Sequence, residues 1–363
     1  MPEKKIIFEN GESFVGEGFG ANKDALFRVV FNTSVVGYQE ILSDPSYYAQ
    51  IVCMTYPLIG NYGLTDDDYE NSKLFVGGFI VREHNDKPSN YRSVKTLDEV
   101  LEEYEIPGVF GVDTRKITRM LRDEGNMRAL ITSSDVSVGT GVSKIKNKPE
   151  LKSLVKMVTC KKIWQQKKSS FKYTIVVLDC GTKFNIIRML QKRRCKVVVV
   201  PYNTEFQEIF LFKPNGVLIS NGPGDPRDLP EVVRTIKKLQ GKVCIFGICL
   251  GHQLIALANG AKVYEMKFGH RGSNHPVRNL ITKKIEITSQ NHSYSVDKSS
   301  LINTRLELTH ENLLDNEVEG LRITKDNIFS VQYHPEHAPG PHDSEYLFDE
   351  FKRNMDRVLL KKE

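Results

Sequence analysis

The sequence predicts an α/β protein in two parts. A smaller mixed β/α domain covers residues 1–150, and a doubly wound, mostly parallel sheet covers 172–363, with a connection at 151–171. Three observations carry this. From Tyr173 onward, continuous apolar runs alternate with segments of helical period, the pattern of a parallel sheet with crossover helices. Residues 151–171 are rich in Lys, Gln and Ser, a composition that reads as a connection. The first 150 residues instead mix short strand-like runs with Gly and Pro turns. A chain of 363 residues has room for about two domains at roughly 100–200 residues each.

In the first part, Lys5–Phe8, Phe27–Phe31 and Phe75–Val81 read as strands. A helix follows Thr96 through Leu97 and Leu101 and stops before Pro107. A second begins after Asp113-Thr114, with Ile117, Met120 and Leu121 at helical spacing. In the second part, Thr174–Leu178, Lys196–Val200, Gly216–Ser220 and Val243–Phe246 are apolar runs of strand length, as expected of strands buried on both faces. Ile186, Ile187, Met189 and Leu190 mark one helix, and Val232 to Leu239 another. A last helix over about 344–360 carries Leu347, Phe348, Phe351, Met355 and Leu359 on one face, an ordinary core stripe. Sheets of this kind bind ligands outside the carboxyl ends of their strands.

Composition narrows the class. Hydrophobic residues make up 40% and charged residues 26%, which is globular rather than disordered. No run approaches the roughly 20 apolar residues of a membrane-spanning helix. The N-terminus lacks a signal-peptide core and a transit-peptide bias, so a cytoplasmic location is expected. The net charge is +6, with Lys152, Lys156, Lys161, Lys162, Lys167 and Lys168 gathered in one stretch. A nucleic-acid site would interleave such charge with stacking aromatics, and Trp164 is the sole aromatic there. The stretch therefore reads as a solvated linker or partner-facing surface. Cys53, Cys160, Cys180, Cys195, Cys244 and Cys249 form no C-x-x-C pair, which fits a reducing compartment with most cysteines as buried fillers.

Cys249 has different surroundings. Gly247-Ile248-Cys249-Leu250-Gly251-His252-Gln253 lies where an apolar strand ends and an apolar helix begins. Glycines two before and two after the cysteine suit a sharp elbow, where side chains would collide. The helix that follows leaves N–H groups unpaired, notably that of Leu250, to receive a developing oxyanion. A cysteine nucleophile needs a base and the base an orienter. The run Ile328–Tyr333 leads straight into His334-Pro335-Glu336, where proline stiffens the backbone between imidazole and carboxylate. His337 and His342 lie close by, and sequence position alone does not separate His334 from His337 as base. The spacing is poor for zinc, so no metal is expected. Ser220-Asn221-Gly222-Pro223-Gly224-Asp225-Pro226 follows another core strand, and its glycines allow close approach of a ligand. His252 reads as packing or capping, and His270 and His275 as structural.

The elbow G-I-C-L-G-H-Q, the loop S-N-G-P-G-D-P and the strand end Q-Y-H-P-E together resemble the triad-type (class I) glutamine amidotransferase domain. Further runs resemble the small chain of carbamoyl-phosphate synthetase: Gly37–Tyr47, Thr55–Gly63, Gly111–Arg115 and Gly269–Pro276. The likeness runs nearly end to end, weakest in the connecting segment. It implies Cys249 as nucleophile, His334 as general base and Glu336 as its orienter. It implies glutamine held by Ser46, Gly222, Gly224, Leu250, Gln253 and the segment Asn291-His292-Ser293-Tyr294. There the family has N-H-G-F, so Ser293 and Tyr294 depart from it, and a serine is costly if the position needs a positive φ.

The resemblance also implies a partner. The chain has no G-x-x-x-x-G-K-[ST] motif, and no cofactor is expected on it. ATP and Mg would belong to a large ATP-grasp synthetase chain that turns bicarbonate and ammonia into carbamoyl phosphate for arginine or pyrimidine synthesis. The first domain would dock there. Relatives serving anthranilate or purine synthesis lack this N-terminal domain. A lone hydrolase, or an inactive scaffold regulating a synthetase, fits less well.

Overall fold

A computed structural model describes residues 2–165 and 171–360, without the side chains of residues 359 and 360. Lys167 and Lys168 of the basic stretch, and the Leu359 side chain of the last apolar stripe, lie outside the described residues. The chain divides into two units, Met1–Leu151 and Lys152–Glu363.

The first unit holds β1 (Glu3–Phe8), β2 (Ser13–Gly20), β3 (Ala25–Asn32), β4 (Gln50–Met54), β5 (Leu58–Ile59), β6 (Gly78–Ile80), β7 (Glu83–His84), β8 (Pro107–Phe110) and β9 (Arg128–Ser133). Seven of them close a barrel in the order β1-β2-β8-β6-β4-β3-β9, with β9 returning antiparallel to β1. The barrel wall is buried on both sides: Ile51 and Cys53 of β4 enter one apolar cluster, Val52 and Met54 another. The expected strand Phe75–Val81 shrinks to β6, because Phe75 and Gly77 donate their N–H groups to Leu42 and Gln50 carbonyls outside the barrel ladder. Both expected helices form. Thr96 caps Leu97–Glu103 in a reciprocal box with Glu99, and Asp113 caps Thr114–Glu124 through the Lys116 N–H.

In the second unit, β10 (Trp164–Gln165), β11 (Tyr173–Asp179), β12 (Cys195–Pro201), β13 (Gly216–Ile219) and β14 (Cys244–Ile248) precede the elbow. After it come β15 (Val263–Asn279), β16 (Ile285–Val296), β17 (Glu307–Asn312), β18 (Val318–Ile323) and β19 (Ile328–Val331). One sheet results, in the order β10-β12-β11-β13-β14-β19-β18-β17-β15-β16. Its parallel core is β12-β11-β13-β14-β19. Alternate residues of β11 enter different cores, Ile175 and Val177 on one face and Val176 and Leu178 on the other, which is why the run reads as continuously apolar. Helices Pro230–Leu239 and Leu250–Ala258 cover one face; Phe184–Lys192 and Tyr346–Leu360 cover the other.

Two features add to the expected fold. The sheet is parallel only through that core; β15 to β18 extend it antiparallel, including a long β15–β16 hairpin whose register shifts twice. The stretch 151–171 is also more than a connection. It contains a short helix, Val155–Val158, and β10 pairs antiparallel with β12. Among the described residues no helix is long and apolar enough to cross a membrane.

Candidate active site

The elbow between β14 and the helix Leu250–Ala258 turns on Cys249, which takes φ 53° and ψ −104°. A non-glycine residue pays strain for such a conformation and keeps it when its surroundings enforce it. The surroundings are tight. A Cβ at Gly247 would meet Ile255 Cδ1 at 2.5 Å, and one at Gly251 would meet the Ile219 carbonyl oxygen at 2.1 Å. Both glycines flanking the cysteine are therefore required by close approach. The Cys249 N–H donates to Val331 O at 2.9 Å, tying the elbow to the end of β19. The thiol is 2% exposed, and its sulfur lies 3.5 Å from the Asn291 carbonyl oxygen as donor.

The end of β19 supplies the imidazole. His334 is anchored by its own N–H, which donates to Ser289 O at 2.9 Å. Its Nδ1 lies 2.7 Å from Glu336 Oε1, while its Nε2 is buried with no hydrogen-bond partner among the described residues. Because a carboxylate accepts, the proton sits on Nδ1 and Nε2 is available to the sulfur. Burial alone would lower the His334 pKa, but the Glu336 carboxylate and the Cys249 sulfur outweigh it and raise it. Burial pushes Glu336 upward, and Lys183 and His334 more than reverse this, holding it below the usual carboxylate range. His337 is occupied otherwise: its Nε2 lies 2.9 Å from Glu345 Oε1, which His342 Nδ1 also approaches at 2.6 Å. Geometry thus gives the Glu336 partner to His334.

Lys183 is the member that sequence reasoning missed. It is 2% exposed, and its Nζ lies 3.1 Å from Glu336 Oε1 and donates to His337 O. The Asn185 side chain, in the first turn of the helix Phe184–Lys192 that Lys183 precedes, donates to Glu336 O. Its signal was present: a lysine just past the carboxyl end of β11, where sheets of this class place their sites. A buried pair of this kind offsets its desolvation only when its geometry is good, and removing one partner strands the other charge.

The remaining expected residues are distributed over both units. Gly222, after β13, packs beside the elbow, since a Cβ there would stand 3.0 Å from Leu250 Cδ2. Gly224 lies further along that loop with φ 92°. Gln253 is engaged by the protein, donating to Tyr294 O at 2.8 Å and Gln332 Oε1 at 3.0 Å. Ser293 lies in β16 and does not adopt positive φ, so the strain feared for a serine there does not arise. Its hydroxyl instead accepts from Arg271. The Tyr294 ring lies 5.7 Å from the Arg227 guanidinium, which Asp225 holds in a bidentate pair. Ser46 belongs to the first unit, where its N–H donates to Asp44 Oδ1 at 2.8 Å. His252 is buried with Nδ1 2.9 Å from Ser330 Oγ, in keeping with packing rather than catalysis.

Comparison with known proteins adds to this geometry. Residues 176–354 match the family model for class-I glutamine amidotransferases. Residues 6–131 match that of the carbamoyl-phosphate synthase small chain, CPSase domain. The chain is 49% identical to the carbamoyl phosphate synthase small chain of Fusobacterium nucleatum, over 99% of this chain and 100% of that one. It is 52% identical to the carbamoyl phosphate synthase small chain of Bacillus caldolyticus, over 96% of this chain and 95% of that one. Against the carbamoyl phosphate synthase pyrimidine-specific small chain of Bacillus subtilis the identity is 50%, over 96% and 95%.

Proposed function

We propose that this chain, which belongs to the carbamoyl phosphate synthase small chain family, hydrolyses glutamine at Cys249 and hands the ammonia to a large synthetase chain. The observation that carries the reading is one continuous array: a strained, buried cysteine at an elbow, with His334, Glu336 and Lys183 behind it.

The steps follow from the parts. The Cys249 thiolate attacks the side-chain amide carbon of glutamine, and a C–S bond forms. The oxyanion that develops is received by the backbone N–H groups of Leu250 and Gly222, each such donor being worth about 2.7–4 kcal/mol. Protonated His334 gives its Nε2 proton to the departing nitrogen, the C–N bond breaks and ammonia leaves. Water then loses a proton to the same imidazole and attacks the thioester; the C–S bond breaks and glutamate is released. Glu336 keeps the imidazole in the productive tautomer throughout, and Lys183 keeps Glu336 ionised. General acid–base help of this type contributes about 10²–10⁴-fold.

Ammonia protonates in neutral water, so a glutaminase of this family is useful only when coupled to an acceptor. The acceptor is the large chain, where ATP and Mg would drive formation of carbamoyl phosphate for arginine or pyrimidine synthesis. The test is reconstitution with the large chain of the same host. Glutamine-dependent carbamoyl phosphate synthesis should appear, and Cys249→Ser should lower it by about 10⁴-fold or more while ammonia-dependent synthesis persists. Glutamine-dependent synthesis that survives the substitution would overturn the assignment.

A further inference from the structure

A second cluster of chemical groups lies in the β15–β16 hairpin and β18, apart from the thiol. His270 is 4% exposed, His292 5% and Glu319 0%. One ligating atom from each lies within 4.8 Å of the other two. Among the described residues, His270 Nδ1, His292 Nε2 and Glu319 Oε2 have no hydrogen-bond partner, nor has Nδ1 of the adjacent His275. Polar atoms left so in a protein interior are rare, since each costs about 1–3 kcal/mol.

The far atoms of the same side chains are held firmly. His270 Nε2 lies 2.7 Å from Asp315 Oδ2. His292 Nδ1 lies 2.8 Å from the Tyr294 carbonyl oxygen. A carbonyl can only accept, so the His292 proton is on Nδ1 and Nε2 presents a bare lone pair. Glu319 Oε1 accepts from Gln290 Nε2 at 2.9 Å and Asn312 Nδ2 at 2.7 Å. Imidazoles braced from behind by a carboxylate or a backbone carbonyl are how proteins orient metal ligands. Pairing within the cluster does not satisfy it, because His270 Nδ1 stands 3.8 Å from Glu319 Oε1, outside hydrogen-bond reach.

We propose that His270, His292 and Glu319 bind one divalent cation of the zinc class, with His275 or a water molecule as fourth ligand. Two imidazole nitrogens and one carboxylate oxygen suit zinc or cobalt rather than magnesium or calcium, which favour oxygen ligands throughout. Zinc–ligand bonds are about 2.0–2.2 Å, so the three atoms draw together by about an ångström on binding, which side-chain torsions supply. Glu319 and, through His270, Asp315 balance the charge. The cation ties β15, β16 and β18 together and braces the strand whose Asn291 carbonyl faces the Cys249 sulfur. This departs from the sequence, which points to no metal and to a structural His270 and His275. It is also independent of the glutaminase reading, since no step of that chemistry uses it.

The experiment uses the full chain without a histidine tag, alkylated at Cys249 so that the thiol offers no competing ligand. After chelation and dialysis, Co²⁺ should titrate to one per chain with the intense visible absorption of four-coordinate cobalt and no thiolate charge-transfer band. Zn²⁺ should displace it and raise Tm. Glu319→Gln and His270→Gln should abolish the signal, and Asp315→Asn should weaken binding by about 10–100-fold. His342→Ala, in the other His/Glu group (His337, His342 and Glu345), should change nothing. Absence of stoichiometric binding to the unmutated chain, six-coordinate cobalt spectra, or loss of binding on His342→Ala would each overturn the proposal. The spectrum of the unmutated chain decides the matter even where a variant fails to fold.

Discussion

In the barrel unit the polar side chains that lie inside are mostly neutral and answer the backbone, whereas the second unit buries charges against charges. Gln39 exchanges two hydrogen bonds with the Thr65 backbone, at 2.6 and 2.8 Å, and Asn32 donates to the Tyr47 hydroxyl at 2.7 Å. In the second unit Lys183, Glu336 and His334 are 2%, 0% and 3% exposed and touch in sequence. Of the nine histidines, His84 alone falls in the barrel unit. A fold that needs only shape can satisfy its interior with neutral groups. One that keeps the proposed nucleophile, base and orienter dry must bury ionisable groups, and its stability then depends on their partners.

The difference can be broken from either side. The largest effect is expected at Glu336→Gln, which strands the Lys183 charge and unsettles the His334 tautomer. Glutaminase kcat should fall by about 10²–10⁴-fold, and the second unit should lose about 3–5 kcal/mol in denaturant unfolding. Unchanged stability would show that Lys183 is solvated and not paired. In the barrel, Phe79→Ala removes a fully buried ring and should cost that unit about 3–5 kcal/mol. The rate at which iodoacetamide alkylates Cys249 should be unaltered, and a changed rate would mean that barrel packing reaches the thiol.

Acid should separate the units next. Burial lowers the His252 pKa to about 3 and that of His310 to about 4. A histidine with its folded pKa below the unfolded value of about 6.5 binds its proton more readily when unfolded. Its contribution to stability is whole above about pH 6.5 and is lost as pH falls toward the folded value. The second unit should lose on the order of 2 kcal/mol per such buried neutral histidine between pH 6.5 and 5, ahead of the barrel. Circular dichroism and Tyr and Trp fluorescence across that range would test it, because Trp164 reports on the second unit alone. Coincident transitions would remove the contrast.

The smallest effect is expected where the chain departs from N-H-G-F. Ser293 has no positive φ to relieve, and its hydroxyl is taken by Arg271. Ser293→Gly should therefore leave the glutamine KM within a few-fold, while the loss of a charged hydrogen bond costs about 1.5 kcal/mol or more of stability. A many-fold lower KM would show that the serine side chain obstructs substrate.

How much of this was legible in the sequence follows from the same contrast. Buried strands announce themselves as apolar runs, so β11 to β14 and the elbow could be read directly, down to the two glycines that Ile219 and Ile255 require. The cysteine, its imidazole and its carboxylate were visible because their neighbours in the chain are unusual. No element was assigned between Ala258 and Ile328, where four strands lie. Their residues are mixed in polarity, since β15 and β16 carry His270, Arg271, Gln290 and Asn291 inward and Tyr264, Ile285 and Ile287 outward. That inversion hides strand periodicity. Lys183 was missed for a related reason: a lysine at a strand end reads as solvated unless its partner, 153 positions further on, is known.

The two-residue strand β10 has a consequence for how the second unit can exist by itself. β12 carries four consecutive valines, Val197 to Val200, and would be an outer strand of the sheet without Trp164 and Gln165 laid antiparallel against Val199 and Val198. A fragment begun at residue 172 would leave that ladder open, a flat valine edge ready to recruit the same edge of another copy. A fragment begun at residue 152 retains its guard, so the solubility of the separated unit depends on a stretch whose composition looks like mere tether.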